Sequence, residues 1–499
     1  MKITLDGDVN LYYVQTLCLM FFPGSKFSEK EERAEGEPMV SAQAKEFDGG
    51  CFAAVKIEID GDEYMGESTV LKSEIKGGDS LAAKIAVGRA FLAAAEKLFG
   101  FVPPWGILTG VRPAKLAMKN LDLGMSHDEC VDAFVNDYSV TAERARLASQ
   151  VASVERKFIT PESRRRCSVY IAIPFCPTRC SYCSFVSFTS KKLLSLIPEY
   201  IDVLRGEIAE TARIIKELGL EVSSVYIGGG TPTVLSEEKL SLLLDTVNEN
   251  FDIEVLEEFT LEAGRPDTIN AEKLRIAKDG GVTRISVNTQ TLNDNILEAI
   301  GRRHTGEDFL KAYSLALESG IKDINVDLIA GLPGESFESF RSSIDRVVGL
   351  HPTNVTVHTF CVKRAADVLR EDRNVYFSKH ETALRSVNYS QKVLADNGYA
   401  PYYMYRQKNT MGNLENVGYS MPGHEGLYNI YMMEEIHSVF GVGASAMTKL
   451  VSPSDGGAKI VRISENKYPY EYLREKSSPE SGEAHEKKRQ QIFDFYKEN

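Results

Sequence analysis

Between Cys167 and Thr359 the chain alternates six short apolar runs with amphipathic stretches of helical period, and that rhythm leaves few folds open. The runs are Val169–Ile173, Ser224–Ile227, Glu258–Glu262, Arg284–Asn288, Ile324–Ile329 and Asn354–Thr359. Between them, Pro198–Leu218, Glu237–Asn248, Ala271–Asp279, Asp308–Ser319 and Ser336–Leu350 carry apolar residues at helical spacing. Strands joined by crossovers of this length pair in parallel. Gly219, Gly280 and Gly320 fall where the helices should end, as C-terminal caps do. Six such units predict an α/β fold, a partial, open (β/α)6 barrel rather than a closed eight-stranded one. Right-handed crossovers put all the strand C-termini on one rim, where this architecture places its sites.

The flanks read differently. Residues 1–160 predict a separate α+β domain, residues 161–365 the partial barrel, and residues 366–499 a small mixed C-terminal extension. In the first, Cys51–Ile59 and Glu63–Leu71 form a strand pair across Asp60–Gly61–Asp62, and a helix runs from Leu81 to Phe99. The apolar stretch Leu11–Phe22 is too short to span a bilayer and reads as core. The charged run Ser28–Pro38 reads as a solvated loop. Pro103–Pro113, PPWGILTGVRP, holds the only tryptophan and suits a substrate lid or a domain junction, with the junction favoured by its Gly and Pro content. Beyond Phe360 come a helix over Lys379–Asn397, a tyrosine-rich patch at Tyr399–Tyr405 and a glycine-rich segment at Phe440–Ser445. The tail Lys476–Arg489 reads as an exposed linker into a short terminal helix.

Composition narrows the setting. With 499 residues and 43% hydrophobic content the chain can build several real cores. Eight cysteines, three of them clustered, argue for a reducing compartment and against a disulfide framework, and MKITLDGDVN lacks a signal-peptide pattern, so a cytoplasmic location is expected. A net charge of −13 disfavours nonspecific nucleic-acid or anionic-membrane binding, and leaves any anionic substrate to local Arg and Lys residues.

Cys176, Cys180 and Cys183, spaced CxxxCxxC, follow the first barrel strand and therefore sit on the rim. Three thiolates can hold three irons of a 4Fe–4S cubane and leave the fourth iron open to a small molecule. A structural zinc site would show a second CxxC pair or a His–xxx–His partner, and neither follows.

Further polar residues recur at the same level. GGGTPT, Gly228–Thr233, follows the second strand and lets main-chain groups approach a ligand. Glu262 ends the third strand, Gln290 follows the fourth and Asp327 lies within the fifth. Each could be satisfied by a bond inside the barrel, but three on successive strands favour a shared ligand. Arg302 and Arg303 offer guanidinium forks for carboxylates, with Arg303 the better candidate for plain solvent exposure. His304 suits a proton carrier or a structural role.

The motifs YIAIPFCPTRCSYCSF, GGGTPT, LEAGRPD, RISVNTQT, GRRH and NVDLIAGLPGE together resemble the radical S-adenosylmethionine enzymes, and within them the oxygen-independent coproporphyrinogen III oxidase family. The likeness covers roughly residues 167–360 and weakens to about 450, and WGILTGVRP resembles the HemZ-type branch of that family. The resemblance implies that the cysteines hold the cluster with Tyr170 packed beside it. It also implies that Gly229, Gly230, Thr231, Glu262, Gln290, Arg302 and Asp327 contact S-adenosylmethionine. The implied reaction is oxidative decarboxylation of two propionates of a porphyrinogen to vinyl groups, with an electron donor such as a flavodoxin or ferredoxin as partner. Arg265, Lys363 and Arg364 are candidates, by position, for the propionates. Two departures stand out. The decarboxylases of the family carry a fourth cysteine where Phe185 stands here. The related haem-chaperone branch carries a His–Asn pair whose nearest counterpart here is Tyr428-Asn429, with Met432 and Met433 where Tyr–Trp would fall. A haem-trafficking protein of the same family, and a radical enzyme with an unrelated substrate, are the alternatives.

Overall fold

The computed structural model describes residues 1–22, 25–27, 37–75, 81–361, 380–407, 410–452, 458–478 and 481–498. Most of the charged run at Ser28–Pro38, together with Lys363 and Arg364, lies outside them. The chain groups into two compact units. The first holds residues 1–153, 359–384 and 404–416, and the second residues 154–358, 385–403 and 417–499.

The first unit is built on a four-stranded sheet in the order β1 (Lys2–Asp6), β2 (Met39–Phe47), β3 (Gly50–Ile59) and β4 (Asp62–Leu71). The β3–β4 hairpin closes on Asp60 and Gly61 alone, both at positive φ (52° and 93°), which matches the twist a two-residue loop needs. Helix Ala82–Phe99 covers the sheet through an alanine-rich face, so close that a Cβ on Gly66 would lie 2.1 Å from the Ala90 carbonyl oxygen. The apolar stretch near the N-terminus is helix Leu11–Phe21, capped by the Asn10 side chain and buried through Val14, Leu17, Cys18 and Phe21.

The WGILTGVRP segment belongs to this unit and is pinned in place. Trp105 is fully buried, and its Nε1 donates to Glu415 Oε2 at 2.7 Å, while Arg144 pairs with the other Glu415 oxygen at 2.8 Å. Arg406 donates from Nη1 to the Leu108 carbonyl at 2.6 Å and from its amide to that of Val111 at 2.6 Å. These bonds tie the segment to Arg406 and Glu415 of the same unit, with Arg144 joined through Glu415.

The second sheet has eleven strands. Its parallel centre runs from β5 (Arg166–Ile173) through β6 (Glu221–Gly229), β7 (Glu258–Glu262), β8 (Arg284–Ser286) and β9 (Asp323–Ala330), with β10 (Asn354–Thr359) next in line. These six strands and the helices between them follow the expected β/α alternation, and among the described residues the sheet stays open. β12 (Glu415–Ser420) pairs antiparallel with β10, and β11 (Ala400–Arg406) continues that side. On the other side β13 (Ser438–Val442) adds parallel to β5, followed by antiparallel β14 (Met447–Ser452) and β15 (Lys459–Ser464). The tyrosine-rich patch is thus mostly strand β11, and the glycine-rich segment is β13 with the turn after it.

Gly280 caps the helix Ala271–Asp279 as expected, with the left-handed turn one residue on at Gly281, φ 85°, and Gly280 itself packs where a Cβ would meet Leu244 Cδ1 at 2.9 Å. One local expectation needs correction. The polar tail is not an exposed linker, because half-buried Lys476 and Lys488 turn their ammonium groups onto buried Glu207 and Glu465, with Lys488 Nζ 3.2 Å from Glu207 Oε1. Glu207 also accepts from the Gly443 amide and the Tyr472 hydroxyl, both at 2.7 Å.

Candidate active site

The rim of β5–β9 collects the polar residues that the sequence singles out. Cys176, Cys180 and Cys183 follow β5, the glycine loop follows β6, Glu262 ends β7, Gln290 follows β8 and Asp327 lies in β9. All belong to the second unit.

The cysteine loop is shaped from within and from behind. The Cys176 amide donates to the Phe188 carbonyl at 3.0 Å and the Cys183 amide to that of Cys180 at 3.2 Å. Arg179 gathers the Cys183, Phe185 and Ser187 carbonyls with its two terminal nitrogens. Two of the sulfurs meet a donor: Thr231 Oγ1 donates to Cys176 Sγ at 3.4 Å and Arg265 Nη1 to Cys180 Sγ at 3.5 Å. Burial pushes the Cys176 and Cys183 thiols up from their ordinary range, so thiolates there need a cationic partner. A cubane takes one thiolate per iron, so three separate sulfurs on one donor-lined loop fit that group. Among the described residues no three His, Cys, Asp or Glu side chains converge on a single point as ligands of one metal ion would.

The glycine loop is dictated by that packing. A Cβ on Gly230 would lie 2.4 Å from the Phe175 carbonyl oxygen, and the Gly230 amide donates to the Ile173 carbonyl at 2.8 Å. Gly229, at φ 110°, turns its amide onto Glu262 Oε2 at 3.3 Å. Thr231 then bonds the Phe175 carbonyl through its amide at 2.7 Å and the Cys176 sulfur through its hydroxyl.

Glu262 also accepts the Tyr226 hydroxyl at 2.5 Å, and burial, aided by the Asp327 carboxylate, pushes its acid up to about 7. Tyr226 lies in a stack of three rings, 4.4 Å from Tyr428 and 6.0 Å from Tyr170 by centroid. Gln290 sits at φ 72° in the left-handed region, fixed by its amide on the Asp327 carbonyl and its carbonyl on the Ile329 amide, both at 2.9 Å. Among the described residues its buried Oε1 has no hydrogen-bond partner, which a strained, 6%-exposed amide seldom tolerates without a ligand. Asp327 is held by Asn325 Nδ2 at 2.7 Å and faces His358 Nε2 at 3.7 Å.

Arg302 is buried and faces inward. Its Nε donates to the Tyr182 hydroxyl at 3.1 Å, and its Nη1 to the carbonyls of Asn288 and Gly264. Arg303 is exposed. His304 is 3% exposed, and among the described residues neither ring nitrogen is hydrogen-bonded. Burial, with the Arg302 charge next, pushes it down to about 3, so it is a neutral imidazole and not a proton carrier near neutrality. Arg265, a candidate for propionates by position, is instead 3% exposed and committed to Cys180, Thr178 and Asp267. Tyr182, Tyr226 and His358 escape the sequence reading, and of these Tyr226 carries a signal, by alternating with Ser224 two residues before the glycines.

Residues 170–347 match the model of the Radical SAM superfamily, which sets the class of protein. HemZ of Bacillus subtilis (strain 168), described as an oxygen-independent coproporphyrinogen-III oxidase-like protein, is 38% identical over 378 residues, 75% of each chain. The heme chaperone HemW of the same organism is 31% identical over 316 residues, 62% of this chain and 77% of the relative. The structure of HemN, a coproporphyrinogen III oxidase from Escherichia coli, superposes with a TM-score of 0.50 at 22% identity, over 65% of this chain and 72% of that one, a likeness of fold. The chain belongs to the radical SAM superfamily, in the oxygen-independent coproporphyrinogen-III oxidase-like family to which HemZ belongs. The cofactors of that superfamily are a 4Fe–4S cluster and S-adenosylmethionine, and they are the cofactors of this chain.

Proposed function

We propose that the chain catalyses the oxygen-independent oxidative decarboxylation of coproporphyrinogen III to protoporphyrinogen IX. When bound, the cofactors supply one electron and an acceptor for a hydrogen atom. Each of two propionates loses a hydrogen atom from its β-carbon and then carbon dioxide, leaves a vinyl group, and gives one electron to an acceptor. Cys176, Cys180 and Cys183 hold the cluster, and Tyr170 packs beside it through its ring stack. Gly229, Gly230 and Thr231 present main-chain groups to S-adenosylmethionine. Glu262 and Asp327 accept its ammonium and ribose hydroxyl donors, and Gln290 offers its unpartnered Oε1. Arg302 has Nη2 outside its internal bonds and directs it to the carboxylate. An electron donor such as a flavodoxin or ferredoxin is the expected partner. No described helix is long and apolar enough to cross a membrane, and a cytoplasmic location agrees with the free cysteines.

The observation that carries this reading is Tyr428. It stands nearest to the chaperone branch's histidine, and its ring is 6% exposed, stacked on Tyr226. A side chain packed there is not offered to a haem. The second reading, haem trafficking, draws on the similarity to HemW and on Phe185, which is 65% exposed where the decarboxylases carry a fourth cysteine. Anaerobic reconstitution followed by S-adenosylmethionine, reductant and coproporphyrinogen III separates the two. The first requires 5′-deoxyadenosine that rises with substrate, with release of carbon dioxide. Stoichiometric haem binding with no substrate-dependent carbon dioxide overturns it.

A further inference from the structure

The wall behind the cysteine loop carries an unusual charge arrangement. Arg265 directs Nη1 to Cys180 Sγ at 3.5 Å and Nη2 to Thr178 Oγ1 at 2.9 Å, while Nε reaches Asp267 Oδ1 at 3.1 Å. A planar fork can serve loop and carboxylate at once, which a lysine cannot. Beside it, Arg302 is 7% exposed and, among the described residues, bonded to two carbonyl oxygens and a phenol, none of them charged. His304, a neutral imidazole, stands 4.0 Å from Asp267. Two buried guanidiniums therefore face one carboxylate.

An unbalanced buried charge is costly unless something neutralises it. Three thiolates on an oxidised cubane core leave one net negative charge, and the S-adenosylmethionine carboxylate assigned to Arg302 adds another, so the loaded site supplies the anionic partners this wall lacks. The balance predicts that the wall is built for the charge of the loaded loop.

We propose that Arg265 is a positioning residue that sets the reduction potential of the cluster, acting through its bond to the Cys180 sulfur, with Asp267 tempering its charge. The proposal rests on the reading of the three cysteines as cluster ligands. Reduction adds negative charge, so a cation hydrogen-bonded to a ligand sulfur favours the reduced form and raises the potential. A carboxylate paired with that cation pulls the other way.

The test is a potentiometric titration followed by electron paramagnetic resonance, with iron counted in each sample, on anaerobically reconstituted full-length protein. Arg265→Gln should shift the midpoint to a more negative value and Asp267→Asn to a more positive one, with iron retained. Arg265→Lys, which keeps the charge but loses the fork, should fall between wild type and Arg265→Gln. A residue that merely braces the loop would not give shifts of opposite sign. Unchanged midpoints, or shifts of the same sign in Arg265→Gln and Asp267→Asn, overturn the proposal. Should Arg265→Gln lose iron, Arg265→Lys and Asp267→Asn carry the test alone by the same signs. A wild-type protein that binds no four-iron cluster overturns the underlying ligand assignment instead, and is recognised before any titration begins.

Discussion

The Tyr226 hydroxyl donates to Glu262 Oε1 at 2.5 Å, so the carboxylate at the end of β7 is held by the strand next to it, at the level of the glycine loop. That carboxyl is an acid pushed up to about 7 from an ordinary value of 4.5, by burial first and by Asp327 as the unfavourable neighbour charge. Between those values the folded protein keeps a proton that the unfolded chain has lost. Stability of the ligand-free protein should therefore fall, by about 3 kcal/mol, as pH rises through this window, and level off above it. Glu262→Gln should remove that dependence, read as the change in urea midpoint between about pH 5 and pH 8. Affinity for S-adenosylmethionine should run the other way. The ionised carboxylate is the better acceptor for a ligand ammonium, so calorimetric affinity should rise over the same interval in the wild type and stay flat in Glu262→Gln.

Gly230 tests how the glycine loop is joined to the cysteines. A Cβ there meets backbone, the Phe175 carbonyl oxygen and amide, which cannot swing aside. On Gly228 a Cβ would meet the Tyr226 ring at 2.8 Å and the Glu262 carboxylate at 2.9 Å, atoms of side chains. Gly230→Ala should therefore distort the loop that carries Cys176 and lower reconstituted iron content. Gly228→Ala should keep the iron and weaken S-adenosylmethionine instead. Equal iron content in the two variants would contradict this division.

The thiols themselves are the most direct check. Cys176→Ala, Cys180→Ala and Cys183→Ala should each lose the cluster. Cys18, Cys51, Cys130 and Cys167 are buried away from the loop in core positions, and Cys361 lies outside it, so replacing any of the five with alanine or serine should leave iron content unchanged. Iron and sulfide assays on reconstituted variants decide it.

The parallel centre was legible because its signals are local. Glu258–Glu262 and Asn354–Thr359 end where their apolar runs end, and a residue at the C-terminus of such a strand faces the rim whatever the rest of the chain does. What escaped depends on partners distant in sequence. Arg265 reads as a rim cation until Cys180, 85 residues earlier, comes beside it. Tyr428 is visible only as the counterpart of a motif histidine, and its stacking on β6 from a helix beyond the barrel has no local signal. Lys488 lies in a polar helix that looks solvated, and its burial follows from Glu207, 281 residues away.

Asp327 should separate ligand binding from iron binding. Its carboxylate is anchored by Asn325 at 2.7 Å and is no partner of the cysteine loop. Asp327→Ala should keep iron and weaken S-adenosylmethionine by about tenfold or more, the loss of one acceptor for a ligand donor. Calorimetry on the iron-replete variant checks it, and unchanged affinity would remove Asp327 from the contact set.

The charge quartet of buried Glu207 and Glu465 with half-buried Lys476 and Lys488 gives the last expectation. Burial alone would raise the Glu207 acid, but Lys488 and Lys476, with the Gly443 amide and the Tyr472 hydroxyl, hold it well below the usual carboxylate range. A depressed acid stabilises the fold above its unfolded value, and that contribution is lost as pH falls below about 4.5. Lys488→Met removes one cation and leaves the carboxylates undercompensated, which should cost about 3 kcal/mol near neutral pH. The double variant Glu207→Gln with Lys488→Met should recover part of that loss, because the uncompensated charge has gone. Chemical denaturation of the four proteins of this cycle measures the coupling, and strict additivity would mean that the tail helix is not anchored through this charge network.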